Sequence, residues 1–231
     1  MAFPTSSLTN NQVHKEGNRA FVYDSALGVW DQVRETDITE NKIIHGEIGA
    51  GVTGGSGLDK NGWILLETQT ASSAGSLHIG SATTLSSTYD DYMIVGTNIK
   101  GSVATALVFR MTIGGSEATA SYYTIADGID SNAERTYTNS NGYAYAFITA
   151  GNPVNNNAYD SLCFKMYLSN PTSTVFHPKI WGYGSYTDSG GHARSTQFSA
   201  RHHSTGALTA LKFYFSSGNI TGTFKLYGLT K

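Results

Sequence analysis

The sequence is poor in charged residues, proline and cysteine. Asp, Glu, Lys and Arg make up 14% of the 231 residues, and there are four prolines and one cysteine; about 25% of the residues of an ordinary soluble domain are charged. The single cysteine, Cys163, excludes an internal disulfide framework and a zinc site built from several cysteines. With 15 basic and 17 acidic residues and no basic run, a nucleic-acid partner is not expected.

Long apolar runs are also missing. No stretch approaches the roughly 18 consecutive apolar residues of a membrane-spanning helix, so no membrane insertion is expected. The N-terminal segment 1–7 has neither the basic nor the apolar region of a secretory signal. The chain does contain 26 glycines and 12% aromatic residues. Because a disordered polar chain lacks such aromatics, we expect a folded protein.

Apolar and polar side chains alternate along several segments of the C-terminal two thirds. In 107–113, 162–168, 211–215 and 224–227, the alternation places apolar residues on one face of a β-strand. Three further runs are β-rich and are predicted to be strands: 63–66, 92–95 and 144–148. Five clusters of turn-forming residues separate the predicted strands: 114–116, 139–142, 155–157, 189–191 and 216–219. About eight to ten strands without helical periodicity predict an all-β fold, an antiparallel β-sandwich of jelly-roll-like arrangement.

The chain divides into three predicted parts. Residues 1–33 form a small β-hairpin module, since 20–23 and 28–31 are β-rich and a short turn separates them. Such a small hairpin is marginal alone, so we expect it to dock on another protein. Residues 34–61 are predicted to be a glycine-rich linker with a short helix near 37–40, and 62–231 the sandwich domain.

Two blocks of sequence carry a family resemblance. The first contains Phe3-Pro4-Thr5-Ser6, then 21–25 and 28–30; the second begins at 62–66, passes through 85–95 and ends at 215–229 with FSSGNITGTFKLYGL. Together they resemble structural proteins of tailed bacteriophages, of the tail-fibre type. The resemblance implies a homotrimer located in the virion, and it supplies no catalytic residues. Because the N-terminal segment lacks a secretory signal, we expect the protein to be made in the host bacterial cytoplasm.

The resemblance also implies partners. The N-terminal module is expected to dock on other tail or baseplate proteins, with Phe3, Phe21, Tyr23 and Trp30 as candidate contacts. The sandwich is expected to bind a glycan on the host surface. One alternative is a capsid decoration protein that binds the major capsid protein. Another is a tail-associated glycan depolymerase, in which Asp127 and Asp130 are the acidic residues to test.

Aromatic side chains among Gly, Ser, Asn and Asp are the candidate ligand-binding residues. They are Tyr143, Tyr145, Trp181, Tyr183 and Tyr186. Rings flanked by small polar residues suit recognition, because an aromatic ring offers contact area with few rotors to immobilise. We expect them in loops, from 139–157 and 181–192, where they bind sugar rings or pack between subunits.

The sequence predicts no cofactor, and no residues are assigned as metal ligands. His192, His202 and His203 are the only histidine concentration. Adjacent residues of a strand point to opposite faces, so at most one of His202 and His203 could bind the same metal ion as His192. The alternative is an ion on the axis of a trimer, bound by one histidine from each subunit. The pairs Asp90-Asp91 and Asp127/Asp130 are interpreted as turns. Cys163 is interpreted as a small residue on a half-buried face.

Overall fold

The computed structural model describes residues 13–16, 19–24, 29–33 and 62–229. In this part of the chain strands prevail and no helix is formed, so none is present that is long and apolar enough to cross a membrane. The chain divides into two compact units, Met1–Lys60 and Asn61–Lys231. Phe3 and the predicted linker 34–61 lie outside the described residues.

The first unit contains a three-stranded antiparallel sheet. Its strands are β1 (Val13–Glu16), β2 (Arg19–Asp24) and β3 (Val29–Val33), in the order β1-β2-β3. The predicted hairpin is confirmed as β2 and β3, whereas β1 was not foreseen. Trp30 packs against Tyr23, with ring centroids 5.2 Å apart, and against His14 at 5.9 Å. Phe21 is buried.

The second unit contains thirteen strands in its described residues. They are β4 (Trp63–Ala74), β5 (Leu77–Ile79), β6 (Asp91–Gly101), β7 (Leu107–Ile113), β8 (Ser116–Glu117), β9 (Tyr122–Asp130), β10 (Arg135–Tyr143), β11 (Ala146–Phe147), β12 (Leu162–Ser169), β13 (Lys179–Thr187), β14 (Ala193–His202), β15 (Leu208–Phe215) and β16 (Ile220–Leu229). The number exceeds the predicted eight to ten in part because a two-residue strand such as β8 is too short to show an alternation of its own.

These strands form two antiparallel sheets. The larger has the order β10-β9-β14-β13-β12-β6-β16-β4, and the smaller has the order β11-β7-β15-β5, with β8 paired to β7. Rings from the two sheets meet in the core, where Phe164 of β12 lies 5.7 Å from Phe213 of β15 and 5.9 Å from Phe224 of β16. The prediction of an all-β antiparallel fold is confirmed, and the two sheets are consistent with a β-sandwich.

Alternation decides which side chains enter this core. Along β12 the even-numbered residues from Leu162 to Leu168 are buried, as predicted, and Cys163 and Lys165 are exposed. Cys163 is therefore more exposed than expected. Gly96 makes room for the core, since a Cβ there would lie 2.4 Å from the Phe164 ring. The strand pattern thus orients the side chains on both faces of the larger sheet.

Three predicted local structures are wrong. The expected turn at 139–142 is part of β10, where a register shift lies between Asn141 and Tyr143. The expected turn at Asp127–Asp130 is part of β9, which pairs with both β10 and β14. The expected strand at 144–148 contains only β11. In the first two cases pairing with the adjacent strands of the sheet overrides the local preference of Asn, Asp and Gly for turns.

Candidate functional site

The solvent-facing side of the larger sheet carries an unusual set of side chains. We call it the outer face and define it by the aligned residues of β9, β14, β13 and β12. The register places Ile125 opposite Ser199, Ser199 opposite Trp181, and Trp181 opposite Tyr167. The row beside it contains Asp127, Gln197, Tyr183 and Lys165. Aromatic rings and small polar residues therefore stand next to one another.

Trp181 is fixed in place by Tyr167. Their rings stack with centroids 4.5 Å apart and an interplanar angle of 23°, and 53% of Trp181 remains exposed. The Tyr167 hydroxyl lies 3.5 Å from that of Tyr183, and this hydrogen bond raises the pKa of Tyr167 above its ordinary value. Trp63 of β4 extends the cluster, 6.2 Å from Tyr167.

A groove runs beside this aromatic cluster above β14. The outward side chain at its centre, Ser199, is small, whereas Trp181 on one side and Ile125 on the other are large and exposed. The groove has a volume of about 430 Å³, and Asp127, Tyr183 and Gln197 also line it. Its size falls in the range of small-molecule sites, about 300–1,000 Å³.

A second groove continues from the first and shares Ile125 and Ser199 with it. Its volume is about 620 Å³. Its further lining residues are Tyr123, Thr124, Asn139, Ser140, Asn141, Lys179, Ala200 and Arg201. The Arg201 guanidinium carbon lies 4.2 Å from the centre of the Tyr123 ring, a cation–π contact that orients the charged group. The two grooves together offer one aromatic and one cationic section.

The structure brings together only two of the five predicted ligand-binding residues on this face. Trp181 and Tyr183 lie there, although in strand β13 and not in a loop. Tyr186 is on the opposite side of β13 and is buried, where its hydroxyl donates to the carbonyl oxygens of Ala150 and Asn152 at 3.3 Å. Burial raises the pKa of its phenol. Tyr186 is therefore a core residue, and its grouping with Trp181 was wrong.

Tyr143 and Tyr145 belong to a separate aromatic cluster. Their ring centroids are 5.6 Å apart, and Tyr145 also packs against Phe147 at 5.3 Å and against Tyr214 of β15 at 6.3 Å. Tyr145 therefore contacts the smaller sheet and is not part of the outer face. It is a packing contact between β15 and the segment after β10.

Ion pairs stabilise the charged side chains near this second cluster. Glu117 of β8 binds Arg110 at 2.7 Å and Lys212 at 3.0 Å. Burial alone would raise the pKa of Glu117, but the hydrogen bonds from Arg110 and Lys212 outweigh it and lower that pKa. The carboxylate is thus shared between neighbouring strands of the smaller sheet.

The two candidate acidic residues of the depolymerase alternative point to opposite faces of β9. Asp127 faces outward and accepts two hydrogen bonds from the guanidinium of Arg135, one at 3.0 Å; this lowers its pKa. Asp130 faces inward, with its side chain buried against Arg194 at 2.9 Å. The two carboxyl groups therefore cannot flank one sugar, and each is already engaged by an arginine.

The histidines are distributed differently from the expectation. His192 precedes β14 and lies 3.6 Å from Asp188, whereas His202 ends the same strand. His203 instead stacks on His177, with centroids 4.9 Å apart. Burial lowers the pKa of His202, and the neighbouring imidazoles of His177 and His203 lower it further. His192 and His202 therefore lie at opposite ends of β14, and the stack of His203 on His177 was not foreseen from the sequence.

Asp130, Asp188 and His192 form a compact group in the described part of the chain. Their potential ligand atoms lie within 4.8 Å of one another. The buried guanidinium of Arg194 already occupies the position of a cation, because it donates to Asp130 at 2.9 Å and to Asp188 at 3.1 Å. The arrangement is therefore a protein-internal ion network in which two carboxylates share one guanidinium.

The second unit is thus an antiparallel β-sandwich with an exposed aromatic groove on its larger sheet. Comparison of the chain with protein-family models, with curated proteins and with solved structures finds no match. Function is therefore inferred from the side chains of the outer face and from the sequence pattern.

Proposed function

We propose that the chain is a structural protein of a bacteriophage virion, of the tail-fibre type, whose sandwich binds glycans on the host surface. The observation that carries the glycan-binding part is Trp181, fixed by Tyr167 and exposed beside a groove. The virion part is supported by the resemblance of the N-terminal and closing sequence blocks to phage structural proteins.

The geometry beside Trp181 suits a sugar ring. Tyr167 covers one face of the indole from the β12 side, so the other face borders the groove above Ser199. Strands β13 and β9 flank β14, so they are about 10 Å apart, since neighbouring strands are separated by about 4.8 Å. One pyranose ring fits between Trp181 and Ile125, with its C–H groups packed on the indole face. Gln197 and Asp127 are within the same groove to bind hydroxyl groups.

The remaining parts of the proposal concern assembly. The first unit is proposed to dock on tail or baseplate proteins, with Tyr23, Trp30 and Phe3 as the contacts; Phe21, also expected as a contact, is buried and does not serve as one. A homotrimer is proposed for the whole chain, because a protein without disulfides that works outside the cell needs other sources of robustness, such as buried subunit interfaces. Light scattering tests this part, and a solution mass of 24.7 kDa, that of one chain, would contradict it.

Binding is tested with the full chain on immobilised bacterial lipopolysaccharides and capsular polysaccharides. We expect Trp181→Ala to weaken binding about tenfold or more, because the main ring contact is lost. Tyr137→Ala is the matched control: Tyr137 is an exposed aromatic residue on β10 of the same sheet that does not line the first groove. Unchanged binding in Trp181→Ala, or no binding by the wild-type chain, overturns the proposal of a glycan-binding groove.

Location is tested separately by antibody labelling of phage particles. Label at the tail or its fibres is expected. Label over the capsid lattice overturns the tail-fibre assignment and supports the alternative, a decoration protein bound to the major capsid protein.

A further inference from the structure

Two positive charges lie opposite each other on the outer face with no carboxylate to balance them. Lys179 of β13 and Arg201 of β14 are direct partners in the antiparallel register. Like charges in directly opposite positions destabilise a sheet, because their side chains are only about 5 Å apart. Neither side chain has an ion-pair partner among the described residues.

This lack of a partner distinguishes Arg201 from the other arginines of the second unit. Arg110, Arg135 and Arg194 each bind at least one carboxylate in the described structure. On the row that contains Lys179, the carboxylate of Asp91 lies two strands away and accepts a hydrogen bond from Ser169 at 2.6 Å. The other three arginines of the second unit are thus paired with carboxylates, whereas Arg201 and the lysine opposite it carry their charges at the second groove without such a partner among the described residues.

We propose that the second groove binds an anionic group of the glycan, a carboxylate or a phosphate, and that the ligands of this protein are acidic polysaccharides. This inference rests on the proposed glycan-binding function and names its ligand class. An anion between Lys179 and Arg201 replaces repulsion between two cations with two attractive contacts. Bound ligand therefore supplies the balancing charge that the sheet itself lacks.

The shape of the groove supports this assignment. The cation–π contact with Tyr123 holds the Arg201 guanidinium, so less side-chain freedom is lost when its planar fork binds an anion. Asn139, Asn141 and Ser199 line the same groove and add neutral hydrogen-bonding groups. Because both grooves include Ile125 and Ser199, one oligosaccharide can place a sugar ring on Trp181 and a charged neighbour beside Arg201.

The test uses the full chain and an array of named polymers. Polygalacturonate, hyaluronate and alginate carry carboxylates, teichoic acid carries phosphates, and carboxyl-reduced polygalacturonate, dextran and mannan are neutral. We expect binding to at least one acidic polymer to be about tenfold or more stronger than to any neutral one. The carboxylate and phosphate polymers distinguish the two sources of the charge.

Substitution of the two cations tests whether they cause the preference for acidic polymers. The double variant Lys179→Gln, Arg201→Gln is expected to lose the preference for acidic polymers while keeping the weaker binding that Trp181 supports. Lys225→Gln is the matched control, because Lys225 lies on the same face three strands beyond β13 and outside both grooves. Raising the salt from about 50 to about 500 mM should weaken wild-type binding to acidic polymers, since exposed charges are screened.

The outcomes separate this inference from the function on which it rests. Equal or stronger binding to the neutral polymers overturns the acidic-ligand proposal and leaves glycan binding intact. An acidic preference that persists in the double variant places the anion elsewhere and also overturns it. If the wild-type chain binds no polymer at all, both proposals fail.

Discussion

Strand β14 carries two arginines, one near each end, and they have opposite surroundings. Arg194 points into the sandwich and is fully buried, where its guanidinium donates to Asp130, Asp188 and Thr136. Arg201 points outward, lies over Tyr123 and faces Lys179. Both residues are arginines, so the carboxylate partners, and not the residue type, distinguish a charge that stabilises the fold from one that is available for a ligand.

The Arg194 end is a closed network. Asp188 accepts further hydrogen bonds from the backbone N–H groups of Gly190 at 2.9 Å and His192 at 3.0 Å, and from Asn152 at 3.2 Å. Asp130 accepts two more from backbone N–H groups of the turn after β9. Buried charges cost little only when they are paired and hydrogen-bonded in this way. The network thereby joins the β9–β10 turn to the β13–β14 turn.

The largest predicted effect comes from removing the cation of this network. Arg194→Met keeps the length of the side chain but leaves two buried carboxylates without their partner. We expect the free energy of unfolding to fall by about 3–5 kcal/mol, the usual cost of breaking a buried ion pair. Denaturant unfolding of the full chain, followed by circular dichroism, measures the change.

The same substitution at the other end of the strand is the control. Arg201→Met is expected to change the free energy of unfolding by only about 0.5 kcal/mol, as for most surface positions. If both variants lose the same stability, or if Arg194→Met loses none, the distinction between the two ends is wrong.

Acid should weaken the Arg194 end of β14. Burial alone would raise the pKa of Asp188, but hydrogen bonds from His192, Asn152, Arg194 and Gly190 outweigh it and hold the pKa below its ordinary value of 3.8. A carboxyl group with a lowered pKa contributes its stability fully above the unfolded value and loses it as the pH falls through the folded one. Asp188 therefore contributes to stability down to about pH 4 and progressively less below it.

Unfolding measured across this acid range tests the assignment. In Asp188→Asn the stability at neutral pH is lower and the further loss between about pH 4 and pH 2 is smaller than in the wild type. In Arg201→Met the acid dependence is unchanged, because Arg201 has no carboxylate partner among the described residues. An equally steep acid loss in Asp188→Asn would show that other carboxyl groups carry it.

The alternation of side chains along a strand predicts which residues share a face better than the composition of the surrounding segment does. The period of two along β13 places Trp181 and Tyr183 on one face and Tyr186 on the other, so a strict alternation count would have removed Tyr186 from the ligand-binding set. The same count separates Asp127 from Asp130. Treating these segments as loops or turns concealed both signals.

Strand order is what the sequence could not supply. The stack of Tyr167 on Trp181 needs β12 beside β13, and the opposition of Lys179 and Arg201 needs the register of β13 with β14. Arg194 meets Asp130 only because β14 inserts between β9 and β13. Such contacts join residues up to 64 positions apart, and no local pattern encodes them.

The smallest predicted effect measures the unpaired charge directly. Lys179→Thr removes one of the two facing cations, and Lys165→Thr makes the same change at an exposed position of β12 whose cross-strand partners, Tyr183 and Val95, are uncharged. Threonine has the same strand preference at both sites, so that contribution largely cancels in the comparison.

At low salt Lys179→Thr should raise the free energy of unfolding by about 0.5 kcal/mol relative to Lys165→Thr. At about 1 M salt the difference should vanish, because screening then acts within about 3 Å. A difference that is absent at low salt, or that survives at high salt, would mean that Lys179 and Arg201 do not repel each other, and the charge argument for an anionic ligand would lose its basis.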